Sequence, residues 1–116
     1  MENCIFCKII KGQIPAAKMY EDDEIIIIKD IDPKAAKHYL MIPKKHYKLI
    51  SEMQEGDDGI LAKALKKIPA LEKELGLEGG YRLIINQGEN AGQTVFHLHV
   101  HILAGQPLAF PDLKIN

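Results

Sequence analysis

His97-Leu98-His99-Val100-His101-Ile102-Leu103 places three of the chain's five histidines on every second residue. In an extended strand, side chains at i, i+2 and i+4 share a face, so the three imidazoles point one way and Phe96, Leu98, Val100 and Ile102 form an apolar opposite face. A solvated strand face is ordinarily built from Thr, Lys or Glu. A row of imidazoles points instead to metal binding or to proton and phosphoryl chemistry near neutral pH. Imidazoles at i and i+2 can share one zinc ion, but the ring at i+4 lies roughly 13 Å from the first, too far for all three to reach one ion through bonds of about 2 Å. The ring left over suits a phosphate, whose oxygens meet ring donors and whose phosphorus meets a ring nucleophile. Histidines that only satisfy local hydrogen bonds are the plainer alternative.

Working outward, Tyr81 to Asn86 reads as a strand, and the polar, Gly-rich loop Gln87 to Gln93 leads from it into the histidine segment. Ser51 to Gly76 is helical in pattern, with Ile60, Leu61, Ala64, Leu65, Ile68, Leu71 and Leu75 on one stripe. Glu55 to Gly59 reads as a loop whose Asp57 or Asp58 caps the main helix, and Pro69 should bend that helix without splitting it. Lys18 to Glu21 and Glu24 to Lys29 form a hairpin across Asp22-Asp23, and His38 to Ile42 is a third strand stopped by Pro43. Ile5 to Lys11 carries apolar groups at helical spacing and stops at Gly12, which puts Cys4 and Cys7 at the first turn of a short helix. The order is helix, three strands, long helix, two strands. It predicts an α+β meander whose long helix covers one sheet face while the histidines line the other side or a groove beside it. The tail from Gln106 to Asn116 should be irregular.

With 116 residues the chain fits one domain, residues 1–116, small enough that a second subunit would add useful burial. A composition 47% hydrophobic and 27% charged with a net charge of -1 excludes a polyanion-binding surface, so no nucleic-acid polymer is expected as a partner. The lysines at 34, 37, 44, 45 and 48 then read as a solvated face. The longest aliphatic run, Ile25 to Ile28, falls far short of the roughly 20 residues that span a bilayer, and Met1-Glu2-Asn3-Cys4 lacks the features of a secretory signal. A cytoplasmic location is expected. Cys4 and Cys7 are the only cysteines, and a Cys-x-x-Cys pair in a reducing compartment holds metal or does redox work more readily than it forms a structural disulfide.

The alternation of His and apolar residues from His97 to Leu103 resembles the signature of the histidine triad (HIT) family. The resemblance extends through Cys4 to Ile10, Asp30-Ile31-Asp32-Pro33, His38 to His46, and Asn86 to Phe96, and is greatest to the Hint-like branch. It implies a HIT-like fold, a five-stranded antiparallel sheet with a long helix and a short N-terminal helix, assembled as a homodimer through the long helix and a sheet edge. It also implies a nucleotide hydrolase or transferase that attacks the α-phosphorus of purine nucleotide conjugates, phosphoramidates among them, through a covalent nucleotidyl-histidine. By that resemblance His99 is the nucleophile, with Nδ1–H donated to the His97 carbonyl so that Nε2 attacks. His101 donates to a non-bridging oxygen, His97 supports the row from its edge, and His38 is a fourth active-site histidine. Asp30 would hold the ribose hydroxyls. Thr94 and Asn86 would serve the phosphate side, Gln93 would shape the same nucleotide-binding loop, and Phe6, Ile9, Ile28 and Ile31 would form the slot for the base.

Some bacterial members of the family also hold structural zinc on two thiolates and two imidazoles, an optional site that the resemblance assigns here to Cys4, Cys7, His46 and His97. One departure bears on specificity: Gln106-Pro107-Leu108-Ala109-Phe110 lacks the Trp-bearing ending of the animal proteins. Two alternatives share these residues, a dinucleoside-polyphosphate hydrolase and a non-catalytic nucleotide- or zinc-binding module.

Overall fold

Five strands form one antiparallel sheet in the order β1 (Lys18–Glu21), β2 (Ile25–Lys29), β3 (Lys37–Pro43), β5 (Val100–Ala104) and β4 (Tyr81–Ile84). The computed structural model describes residues 3–108, so the expectation for the tail from Ala109 onward lies outside the described residues. The sheet is not the simple meander that element order suggested. β5, whose residues are all buried, takes an inner position between β3 and β4, and the half-exposed β4 becomes the edge. At the other edge, Asp22 Oδ1 accepts the backbone N–H groups of Glu24 and Ile25 and so closes the expected β1–β2 hairpin.

Alternation along β2 splits the core in two. Ile25 and Ile27 face a cluster with Tyr39, Met41, Val100 and Ile102, which is covered by Ala64, Ile68 and Leu75. Ile26 and Ile28 face the opposite side with Leu40 and Ile42, covered by Phe6 and Ile9 of α1 (Ile5–Ile10). A helix this short is marginal alone, so burial of Phe6, Cys7 and Ile9 holds α1 in place, with Cys4 Sγ capping the Cys7 N–H. Because Leu40 lies opposite His101, and direct cross-strand partners share a face, the histidine row lies on the α1 side.

Three local expectations change. The main helix starts where the loop at Gly56 (φ +96) predicts, after a 3-10 turn at Ile50–Glu52, but α2 runs only Asp58–Ala70 and does not bend on to Gly76 as one helix. Asp57 stands at the cap position, but its carboxylate accepts from the Gln54 N–H and Lys45 Nζ, so its side chain does not cap the helix. Pro69 has no N–H to continue the ladder, and the chain breaks at Leu71 into a separate turn, α3 (Glu72–Leu75), which left-handed Gly76 closes.

The second change is that β4 ends at Ile84, short of Asn86, and the ladder of β5 begins only at Val100. His97 to His99 lie outside it because β3 runs out at Pro43, which has no N–H to offer, and the Leu98 N–H turns to the Tyr47 carbonyl. Third, Phe96 is 40% exposed and does not continue the apolar face of Leu98, Val100 and Ile102.

Truncating Ile68, which is wholly buried between α2 and the sheet, should cost about 2–5 kcal/mol as Ile68→Ala in urea unfolding. Ile31→Ala, at a position 98% exposed, should stay within about 0.5 kcal/mol of the parent.

Candidate active site and metal cluster

The sequence brings four of its histidines into one buried row on the α1 side of the sheet, and backbone groups fix how two of them are protonated. His99 places Nδ1 2.7 Å from the His97 carbonyl oxygen. A carbonyl only accepts, so the proton sits on Nδ1 and the lone pair on Nε2. The Phe6 ring meets His99 edge-on at 5.1 Å between centroids, which limits how the imidazole can turn. His97 places Nε2 2.7 Å from the Pro43 carbonyl, so its lone pair lies on Nδ1. His38, buried beside His101, receives the Lys34 backbone N–H on Nδ1 at 3.0 Å and sets Nε2 2.9 Å from His101 Nδ1. Asp30 Oδ2 stands 3.3 Å from His38 Nε2 and 4.0 Å from His101 Nδ1, while its Oδ1 accepts the Asp32 N–H.

His99 and His101 form one wall of a cavity of about 340 Å³. Phe6, Ile9, Ile28, Leu40 and Val95 give it an apolar lining, and Asp30 and Thr94 add polar groups at its margin. Of the residues expected to hold a nucleotide, Ile31 lines only the rim, since its side chain points almost wholly into solvent. Asn86, beyond the end of β4, and Gln93 are not in the lining. Gln93 is buried as a loop staple: its amide accepts the Gly88 N–H and donates to the Lys48 and Val95 carbonyls. Leu40 and the segment Ile14-Pro15-Ala16 also line the cavity and were not foreseen. Only the β3–β5 register reveals Leu40, and residues 14–16 carry no periodic signal. A larger, shallower groove of about 680 Å³ lies beyond Thr94, over Cys4 and His46, and contains neither His99 nor His101.

Cys4, Cys7, His46 and His97 converge so that their ligand atoms all lie within 4.8 Å of one another. His97 Nδ1 is 3.3 Å from Cys4 Sγ, 3.6 Å from Cys7 Sγ and 3.1 Å from His46 Nδ1, and Cys7 Sγ is 3.3 Å from His46 Nδ1. Bonds of about 2.0 Å to nitrogen and about 2.3 Å to sulfur give a tetrahedron with edges of roughly 3.3–3.8 Å, so this donor set fits zinc. Burial and the adjacent Cys4 thiol push the Cys7 thiol above its usual range, which is the setting in which a cation is needed to hold a thiolate.

A family model described as "Scavenger mRNA decapping enzyme C-term binding" matches residues 3–110. Protein HitA of Neisseria gonorrhoeae is 44% identical over 93% of this chain and 100% of its own length. The chain belongs to the histidine triad family. Its fold agrees with that of other HIT proteins. A HIT family hydrolase from Clostridium thermocellum superposes with a TM-score of 0.90 at 47% identity, over 97% of this chain and 99% of that one. A Zn-bound histidine triad family protein from Mycobacterium smegmatis superposes at 0.79 and 34% identity, over 97% and 86% of the two chains. Hydrolases among the HIT structures support a hydrolase in the broad sense for this chain. Among the described residues no helix is long and apolar enough to cross a membrane.

Burial holds the imidazoles of His38, His46 and His97 below the usual histidine range, His97 down to about 4. In the unfolded chain these rings titrate near 6.5, so below that pH the unfolded state takes up protons that the folded state refuses. Stability is therefore full above about pH 6.5 and falls as the pH drops toward the folded values. Urea unfolding in chelator at pH about 7.5 and about 5 should show a lower midpoint at the acid end; an unchanged midpoint would contradict the assignment.

Proposed function

We propose that this HIT protein hydrolyses or transfers nucleotidyl groups at the α-phosphorus of purine nucleotide conjugates, phosphoramidates among them, through a covalent nucleotidyl-His99 intermediate. The observation that carries this reading is the Nδ1–H bond from His99 to the His97 carbonyl, which puts the lone pair of a neutral imidazole on Nε2 in the wall of an apolar cavity. His99 Nε2 would form a P–N bond as the bond from phosphorus to the leaving amine or phosphate breaks, and water would then displace the histidine to give the nucleoside monophosphate. His101 would donate to a non-bridging oxygen, and the Thr94 hydroxyl would serve the phosphate or the leaving group at the cavity margin. Asp30 would take the ribose hydroxyls, and Phe6, Ile9 and Ile28 would enclose the base.

Zinc on Cys4, Cys7, His46 and His97 would supply a structural cross-link between α1, the loop after β3 and the segment that carries His99. The reduced thiols fit a cytoplasmic setting. The outer edge of β4, with Leu83 39% exposed, and the half-buried Ile60 and Leu61 of α2 support a homodimer of one-domain chains through the long helix and this edge.

Incubated with adenosine 5′-phosphoramidate, the protein should release AMP, and rapid acid quench should trap an adenylated peptide containing His99. His99→Ala should lower turnover by about 10³ or more, and full activity in that variant would end the nucleophile assignment. Protein purified without added metal should carry about one zinc per chain, and Cys4→Ser should lose most of it. Near-zero zinc in both would defeat the metal assignment.

A further inference from the structure

The fourth histidine, His38, touches neither edge of the metal cluster, and the cavity reaches it only through His101 and Asp30. Its own surroundings nevertheless determine the chemistry of its neighbour. We infer that the backbone N–H of Lys34 fixes the proton positions of the His38–His101 pair, so that His101 presents its Nε2–H as a donor toward the nucleotide phosphate. The inference rests on the functional reading above and gives Lys34 a positioning role within it.

The argument is one of counting protons. A peptide N–H can only donate, so His38 Nδ1, 3.0 Å from the Lys34 nitrogen, must hold a lone pair. A neutral His38 then carries its proton on Nε2. That nitrogen lies 2.9 Å from His101 Nδ1, a separation with room for one proton, not two. His101 Nδ1 is therefore the acceptor, and the proton of His101 is on Nε2. The Asp30 carboxylate, 3.3 Å from His38 Nε2, is a second acceptor for the same proton and favours the same arrangement.

The donating N–H is itself held in place. Asp30 N–H bonds the His38 carbonyl at 3.0 Å, Asp32 N–H bonds Asp30 Oδ1 at 2.8 Å, and Lys34 Nζ pairs with Asp32 Oδ2 at 2.6 Å. Pro33, with its fixed φ, precedes Lys34 and narrows the path of the loop further.

Proton counting also disposes of a rival for the same atoms. Asp30, His38 and His101 lie close enough together to hold a cation. A cation there would need lone pairs on both His38 Nε2 and His101 Nδ1, and the Lys34 N–H denies the first to a neutral His38. The three groups therefore form a hydrogen-bonded chain.

His99 and His101, with centroids 5.0 Å apart, thus present opposite polarities to the cavity, a lone pair on one and a proton on the other. Attack at phosphorus needs both, a nucleophile and a donor to the oxygen that gains charge. A carbonyl, that of His97, sets the first. An amide, that of Lys34, sets the second.

Nitrogen-15 histidine spectra at pH about 8 read the tautomers directly. His38 and His101 should be protonated at Nε2 and His99 at Nδ1. Lys34→Pro removes the N–H, whereas Lys34→Ala keeps it and removes only the ion pair to Asp32. In Lys34→Pro the single tautomer of His101 should be lost, and kcat on adenosine 5′-phosphoramidate should fall about tenfold to a hundredfold with KM within about twofold; Lys34→Ala should keep the parent tautomers.

The inference is overturned if His38 or His101 in the parent protein is protonated at Nδ1, or if a folded Lys34→Pro protein keeps the parent tautomers and kcat. Should Lys34→Pro fail to fold, the parent spectrum alone decides. Absence of phosphoramidate turnover in the parent protein would sink the functional reading instead, and the ring spectra separate that failure from this one.

Discussion

One buried imidazole, that of His97, ties together the sheet, the metal cluster and the histidine proposed to do the chemistry. Its Nε2–H is spent on the Pro43 carbonyl at the end of β3, its Nδ1 faces Cys4, Cys7 and His46, and its own carbonyl receives the His99 proton. Each bond constrains the next, because the proton on Nε2 leaves Nδ1 as the only nitrogen able to meet a cation. A cation on that nitrogen would in turn hold the residue whose carbonyl orients His99. A cation held there would therefore bear on the proposed His99 chemistry through position alone.

Placing these rings on an inner strand has an energetic cost that the fold meets with backbone groups. A buried polar group without a partner costs about 1–3 kcal/mol, and His38, His97, His99 and His101 are all buried. The Pro43 and His97 carbonyls and the Lys34 N–H satisfy three of them. Two of these groups are available because β3 and its approach are irregular. Pro43 ends the β3 ladder, and the loop before Lys37 turns an amide inward in place of a strand partner. The interrupted ladder before Val100 is thus what lets His97 bond the carbonyl at the end of β3 and His99 bond the His97 carbonyl.

Much of this was legible in the chain because it rests on short periods. Alternation from His97 to Leu103 gave the shared face of the imidazoles, the four consecutive isoleucines of β2 gave a strand buried on both sides, and Cys4-x-x-Cys7 gave two thiols at one helical turn. Long-range pairing was not legible. No local signal says that β5 enters between β3 and β4, and without that register neither Leu40 in the cavity nor the contact between His38 and His101 can be placed. The helix was overextended for a related reason. Apolar spacing continued past Pro69 to Leu75, while α2 itself ends at Ala70 and the chain restarts as α3 only after Leu71. Phe96 shows the same limit at a single residue, since a half-exposed ring looks in sequence like a core side chain.

Asp30 shows how two demands meet on one carboxylate. The proposed ribose contacts need acceptors for two hydroxyls, yet Oδ1 already receives the Asp32 N–H and Oδ2 stands beside His38 Nε2. An ionised carboxylate offers about four lone-pair sites, so these partners leave capacity for both hydroxyls without releasing the loop or the imidazole. A sugar bound in that way would share Oδ2 with the His38 proton. Weakening the pull of Asp30 on that proton directs it more fully to His101 Nδ1, which keeps His101 in the donor form that a charged phosphate oxygen requires. In the proposed reading, sugar recognition and the polarity of the phosphate site would both follow from one side chain's geometry, and the apolar slot would be left to hold the base by contact area alone.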